Sequence, residues 1–127
     1  NISSEMLKGF FVDWANSPTN TQLLEILKNS YAISLAIDEK KIKVIGFVNA
    51  ISDKVIYAFI PLLEVLPEYQ KKGVGRKLMI NIEKQLSEMY AVDIVCDDGV
   101  TEFYSKLKYY KVNGMIKRNP KKLNKKT

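Results

Sequence analysis

The sequence predicts a single α/β domain of the α+β type, with a mixed, mostly antiparallel central sheet flanked by helices. Three observations support this fold class: apolar stripes at helical spacing near the start, β-type runs separated by tight turns from residue 31 to residue 65, and alternating strand and helix patterns after that. A chain of 127 residues can bury one core, whereas two cores would each be too small.

Two short helices are predicted first. Apolar residues have helical spacing over residues 7–14. Ser17-Pro18 then places a cap before a proline at the first helical position, and leucines follow at helical spacing up to Asn29. Three aromatic residues of the first stripe can belong to the core or line an acceptor pocket, namely Phe10, Phe11 and Trp14.

Three antiparallel strands are predicted next, over residues 31–37, 42–51 and 55–65. These runs are rich in valine and isoleucine and are joined by short polar turns, as in consecutive hairpins. Pro61 interrupts the third strand, where it cannot donate a ladder hydrogen bond.

The rest of the chain alternates helix and strand. A long amphipathic helix is predicted from a glycine turn to about Met89, followed by a strand over residues 91–96, a short helix over 100–107 and a last strand over 109–116. Residues 1–116 are therefore predicted to form one domain, and residues 117–127 a basic C-terminal tail.

The net charge of +6 is concentrated in this tail. Its six basic residues, with no acid among them, account for the whole excess of 20 basic over 14 acidic residues. The body is neutral and its aromatic residues are not interleaved with basic ones, so we predict no nucleic-acid binding. The tail is predicted to be solvated, although a contact with an anionic partner stays open.

The remaining composition points to a cytoplasmic protein. No apolar run approaches the ~20 residues that span a bilayer, so no membrane partner is predicted. Cys96 is the single cysteine and cannot form an internal disulfide, which fits a reducing compartment. Strand edges in such domains often pair between chains, so a homodimer is possible.

The clearest chemical signal is the glycine turn before the long helix. Two glycines let the backbone fold tightly and approach a ligand, and the N–H groups at the helix start favour an anion such as pyrophosphate. The spacing matches neither the dinucleotide-binding fingerprint nor the ATP-binding loop. A glycine turn alone also occurs without a ligand. The turn and its neighbouring basic residue are Gln70, Lys71, Lys72, Gly73, Val74, Gly75 and Arg76.

Two segments resemble the GNAT superfamily of acetyl-coenzyme A-dependent N-acetyltransferases. Residues 63–75 are similar to the signature strand, loop and pyrophosphate turn of that family, and residues 103–109 to its Phe-Tyr-x-x-x-Gly-Phe segment. The resemblance covers nearly the whole chain from Ser3 to Ile116. It implies a sheet of about six strands, splayed between the fourth and fifth. In this chain those are the signature strand and the strand over residues 91–96.

The same resemblance implies acetyl-coenzyme A as the cofactor. Backbone groups of Leu63 and Val65 would bind its pantetheine arm as an added strand does, and the glycine turn would bind its pyrophosphate. Lys106 on the last helix joins these cofactor-binding candidates. Two features depart from the family pattern: Lys108 stands where the family has glycine, and the family's opening strand does not occur after Asn1 and could lie upstream of it.

Acetyl transfer to a primary amine by direct attack needs a proton donor for the thiolate, a donor for the oxyanion and a base. The resemblance places Tyr104 as the acid, and the backbone N–H of Val65 is the natural oxyanion donor. Glu64 is the candidate base, but strand alternation points it to the face opposite Leu63 and Val65, which favours a structural or substrate-orienting role.

Three other residues leave alternatives open. Asp97 and Asp98 could hold a cationic amine, act through water or cap the next helix. Cys96 is more typical of a buried small residue than of a nucleophile. The chain contains no histidine, so no histidine-ligated metal site is predicted. The alternative function is a non-catalytic coenzyme A sensor, which the uncertain base would permit.

Overall fold

The computed structural model of the protein describes residues 1–123 and contains a four-stranded sheet with a helix on each face. The predicted α/β class with a mixed sheet is confirmed, whereas four strands form in this part of the chain rather than about six. The elements are the 3-10 turn Ser4–Leu7, α1 Asn20–Lys28, β1 Ala32–Asp38, β2 Lys43–Ser52, β3 Tyr57–Val65, the 3-10 turn Pro67–Tyr69, α2 Val74–Gln85, β4 Ala91–Ile94, the 3-10 turn Asp98–Val100, α3 Thr101–Lys106 and the 3-10 turn Pro120–Lys122.

The sheet opens between β3 and β4. The strand order is β1-β2-β3-β4, with the first three antiparallel and β4 parallel to β3. The β3–β4 pairing ends at Ile60↔Ile94, while β3 continues beside β2 as far as Val65. Pro61 stands where the pairing stops, and proline has no N–H to continue it. The splay that was expected between these two strands is therefore present.

Two hydrophobic clusters hold the helices to opposite faces of the sheet. Phe47 on β2 packs with Leu23 and Leu27 of α1, while its neighbour Val48 packs with Met79 of α2. This division follows from strand alternation, because successive side chains point to opposite faces. Each face of β2 is buried, which explains its nearly continuous apolar sequence.

The prediction of a first helix over residues 7–14 is wrong. Only Ser4–Leu7 forms a turn of 3-10 helix, and the backbone then takes positive φ angles at Gly9 (99°), Phe11 (65°) and Asp13 (68°). No helix can pass through such angles, which cost a non-glycine residue about 1–2 kcal/mol each. A long-range contact described below holds this segment, here called the N-terminal turn (residues 9–14).

The other helices form close to their predicted positions. Helix α1 is capped by Thr19 rather than by Ser17, in a reciprocal capping box with Gln22. Helix α2 ends at Gln85, one turn before Met89, and α3 covers most of the predicted segment 100–107. Among the described residues no helix is both long and apolar enough to cross a membrane.

The predicted last strand, residues 109–116, does not form. The segment lines a cavity together with residues of β4, at the edge of the described sheet, and it exposes Tyr110, Val112 and Met115. Its composition favours a strand, but strand propensity needs a partner and this segment does not pair. The tail prediction concerns residues 117–127: residues 117–122 are exposed, and 124–127 lie outside the described residues.

Candidate active site

The glycine turn places three backbone donors at the start of α2. Gly73 is the N-cap with φ 83°, and the first helical hydrogen bond runs from the Lys77 N–H to the Gly73 carbonyl at 3.1 Å. The N–H groups of Val74, Gly75 and Arg76 therefore precede the first intrahelical donor. A Cβ built on Gly73 meets nothing within 4 Å, so the turn faces open space. This arrangement fits an anionic group such as a pyrophosphate.

Basic side chains surround this turn and are exposed. Lys71 has a left-handed backbone (φ 62°), and Lys71, Lys72 and Arg76 extend into solvent. The Lys72 Nζ lies 6.0 Å from the centre of the Tyr69 ring, on which the Lys41 ammonium also lies at 5.9 Å. The ammonium groups of Lys72 and Lys41 therefore both lie near the Tyr69 ring, close to the turn in sequence in the case of Lys72.

Tyr69 anchors the segment that leads into the turn, a role that sequence reasoning missed. Its hydroxyl donates to Asp38 Oδ2 at 2.6 Å. This hydrogen bond raises the pKa of Tyr69 and lowers the pKa of Asp38. Asp38 ends β1 and is far from Tyr69 in sequence, so local patterns gave no signal for the pair.

Backbone groups of Leu63 and Val65 point into the opening of the sheet. The Leu66 N–H donates to the Ile45 carbonyl on the β2 side at 2.9 Å. Because successive residues of a strand direct their backbone groups to opposite sides, those of Leu63 and Val65 point away from β2. The side chain of Gln70 donates to the Val65 carbonyl at 2.8 Å, so in this structure it supports the strand end.

Phe103 closes the opening on the α2 face. A Cβ built on Gly75 would lie 3.7 Å from Phe103 and 3.8 Å from Val65, at ordinary contact distance. Glycine at this position thus lets helix α3 and the end of β3 approach the turn closely. The Tyr104 ring packs edge-on against Phe103 with 4.9 Å between ring centres.

Tyr104 is largely buried and remains a neutral phenol at physiological pH. Burial raises the pKa of Tyr104 from 10.0 to about 12, with Cys96 adding a smaller effect. The ring of Tyr109 lies 5.9 Å away, and its pKa is also raised by burial and by Glu83. A phenol in this state can donate a proton but does not act as a base near pH 7.

The raised pKa values predict a loss of stability at high pH. The folded state holds the Tyr104 proton more tightly than the unfolded chain, so its contribution is full below pH 10 and is lost as pH rises toward about 12. We expect the urea midpoint to fall over this interval. The Tyr104→Phe variant should lose less over the same interval, and an equal loss in both proteins would contradict the assignment.

Lys108 stands where the related motif has glycine, and its backbone is left-handed. It adopts φ 76°, and the Tyr109 N–H donates to the Tyr104 carbonyl at 3.1 Å, which closes the end of α3. The strain is of the order of 1 kcal/mol. Lys106 is exposed in the last turn of α3.

The carboxylate of Glu64 is occupied by backbone donors. Both of its oxygens lie 2.9 Å from the Phe11 nitrogen, and Oε2 also lies 3.4 Å from the Val12 nitrogen. Glu64 lies opposite Phe47 on β2 and thus on the α1 face of the sheet, away from Leu63 and Val65. Of the roles considered for Glu64, this contact favours the structural or substrate-orienting role over that of the base.

A cavity of about 390 Å³ lies between strands β3 and β4 and the segment after α3. Tyr57 and Phe59 line it from β3, and Cys96 and Tyr104 line it from the segments after β4. Asp98 forms an exposed ion pair with Lys111 at 3.5 Å. In residues 1–123, no group of three or more histidine, cysteine or acidic side chains is placed to hold a metal ion.

The fold and the opening beside the glycine turn define the acyltransferase class that the two sequence motifs indicated. The Acetyltransferase (GNAT) family matches residues 2–109, and the chain belongs to this family. The predicted family and fold are thereby confirmed.

Relatives and solved structures agree with this assignment. A protein of Gracilaria tenuistipitata var. liui, named uncharacterized N-acetyltransferase ycf52, is 31% identical over 99 residues, which are 76% of this chain and 54% of the relative. The chain thus spans about half the length of that relative. A crystal structure of a provisionally assigned acetyltransferase from Deinococcus radiodurans R1 is 38% identical to this chain, with a TM-score of 0.94. The match covers 98% of this chain and 86% of the Deinococcus chain.

A more distant structure shares the fold alone. It is an aminoglycoside 6'-N-acetyltransferase complexed with coenzyme A, with 19% identity and a TM-score of 0.61 over 74% of this chain and 69% of its own. The individual site residues predicted from the sequence remain predictions.

Proposed function

We propose that this protein is an N-acetyltransferase that moves an acetyl group from acetyl-coenzyme A to a primary amine by direct attack in a ternary complex. One observation carries the proposal: the β3–β4 pairing stops at Ile60↔Ile94, and the open end of β3 leads directly into the α2 glycine turn. An extended ligand with a pyrophosphate at one end fits this arrangement.

The residues present fit the cofactor. The α2 N-terminus would bind the pyrophosphate, with Lys71, Lys72 and Arg76 adding charge, and the backbone of Leu63 and Val65 would bind the pantetheine arm. Lys106 is a further candidate for a phosphate contact. When bound, acetyl-coenzyme A supplies an acetyl thioester.

Two groups of this chain would assist the transfer. The Val65 N–H points into the opening and would donate to a carbonyl oxygen placed there. Tyr104, held neutral by burial, would supply the proton that the departing thiolate needs. The Gln70 side chain holds the Val65 carbonyl and so fixes the strand end that presents this N–H.

Calorimetric titration with acetyl-coenzyme A, followed by a thiol-release assay over a panel of primary amines, tests the proposal. We expect binding in the micromolar range, about −8 kcal/mol, and thiol release that depends on the amine. Absence of binding would overturn the proposal. Binding without thiol release for any amine would favour the second candidate function, a coenzyme A sensor. The Glu64 carboxylate supports this alternative because it is occupied by a backbone N–H group.

Two further features stay proposals. The unpaired edge of β4 and the exposed apolar residues beside it support association of two chains. The single cysteine, Cys96, is free, which supports a reducing compartment such as the cytoplasm.

A further inference from the structure

Glu64 connects the end of the signature strand to the N-terminal turn. Its carboxylate accepts the Phe11 N–H with both oxygens at 2.9 Å, across 53 positions of sequence. Phe11 is 6% exposed, and its ring centre lies 6.4 Å from that of Phe47 on β2. The turn is therefore fixed at one residue by two contacts, a backbone hydrogen bond and a buried ring.

The turn needs such a contact because its backbone is strained. Gly9, Phe11 and Asp13 all have positive φ angles, which two non-glycine residues adopt only where the surrounding structure holds them. Gly9 also approaches Leu66, just after β3, because a Cβ built there would lie 3.3 Å from the leucine side chain. The turn thus covers the end of β3 on the face that Glu64 occupies.

With the cofactor on the α2 side of the sheet, the face that carries the N-terminal turn would be left for an acceptor. Leu63, Val65 and Phe103 all pack on the α2 side, where the cofactor would lie. Side chains of the N-terminal turn lie on the opposite face, with Val12 45% and Trp14 47% exposed. The Trp14 ring centre is 4.9 Å from that of Phe11. An indole face can contact both an apolar group and an ammonium ion.

We propose that Glu64 is a positioning residue, and that the turn it holds forms the acceptor wall for a primary amine carrying an apolar or aromatic group. This inference rests on the proposed function. It assigns to Glu64 a role other than general base, because its oxygens are occupied by the Phe11 and Val12 N–H groups. Glu64 then acts on the acceptor through Trp14.

The first test follows the turn itself and needs no enzyme assay. Trp14 is the only tryptophan, so intrinsic fluorescence reports on this segment. We expect Glu64→Gln to shift its emission to longer wavelength and to increase quenching by acrylamide, because an amide keeps only one acceptor oxygen. Glu25→Gln, an exposed change on α1, is the matched control and should have no effect. An unchanged emission in Glu64→Gln would overturn the proposal even if acetyl transfer is confirmed.

The second test separates positioning from base catalysis. With 2-phenylethylamine as acceptor, Glu64→Gln should raise KM about tenfold or more and change kcat less than about threefold. Its pH profile of kcat/KM should stay parallel to that of the wild type. A fall in kcat of about 100-fold with loss of the acidic limb would identify a base and overturn the proposal.

A double-mutant cycle keeps the proposal testable if one variant is poorly stable. Trp14→Ala should also raise KM for 2-phenylethylamine, and the double variant should be no worse than the poorer single one, because both changes act through the same wall. In the wild type, ethanolamine, which lacks an apolar group, should have at least a tenfold higher KM than 2-phenylethylamine. This preference should disappear in Trp14→Ala. Additive effects in the cycle, or a preference that persists in Trp14→Ala, would contradict the inference.

Discussion

Gly73→Asp is expected to weaken acetyl-coenzyme A binding by roughly two to three orders of magnitude, whereas Gly73→Asn should change it less than about tenfold. Both side chains tolerate a left-handed backbone, and the position of φ 83° has open space for either. The two variants therefore differ chiefly in charge. A unit negative charge about 4 Å from a phosphate costs roughly 4 kcal/mol at the effective dielectric constant of a protein surface.

Calorimetric titration of both variants measures this difference. Gly114→Asp adds the same charge in the exposed segment after α3, where a Cβ also meets nothing within 4 Å, and should bind like the wild type. Equal losses in Gly73→Asp and Gly73→Asn would point to backbone distortion instead. An unchanged affinity in Gly73→Asp would place the pyrophosphate away from this turn.

The strands and the main helix could be predicted because local sequence determines them. β1, β2 and β3 begin and end within two residues of the runs identified from composition and turns, and α2 follows directly after Gly73. The glycine turn was predictable for the same reason, since its backbone requirement and its helix N-terminus are encoded in adjacent residues. Residues 63–75 thus specify both the end of β3 and the glycine turn.

The N-terminal turn could not be predicted from its own residues. Residues 7–14 have a helical apolar pattern, but Glu64 accepts the Phe11 N–H and holds the chain in a conformation that no helix allows. The Tyr69–Asp38 hydrogen bond could not be predicted for the same reason, because its partners are 31 positions apart. Tertiary contacts of this kind override local preference.

The strand predicted after α3 does not form because it lacks a partner strand. Residues 109–116 have the composition of a strand, yet a strand forms only when another strand accepts its hydrogen bonds. In the described structure the segment forms no strand, and its residues Tyr110, Val112, Met115 and Ile116 stay exposed. With this segment the sheet would have five strands, so its failure to pair explains one of the strands missing from the count of about six that the family resemblance implied.

The second large effect is expected at the proposed proton donor. Tyr104→Phe removes one hydroxyl and retains the ring that packs against Phe103 and Tyr109. We expect kcat to fall about 100-fold or more, because the thiolate then leaves without a positioned acid. Acetyl-coenzyme A affinity should stay within about threefold, since neither the glycine turn nor the β3 backbone is touched.

Thiol-release kinetics with saturating amine measure this change, and calorimetry measures the affinity. Tyr110→Phe removes a hydroxyl from a residue that is 86% exposed and should behave as the wild type. Because burial raises the pKa of Tyr104 to about 12, its proton should remain available throughout pH 7–10, so kcat should not decline there through loss of this donor. An unchanged kcat in Tyr104→Phe would reduce Tyr104 to a packing role, while equal losses of kcat and affinity would show that the hydroxyl maintains the site's structure.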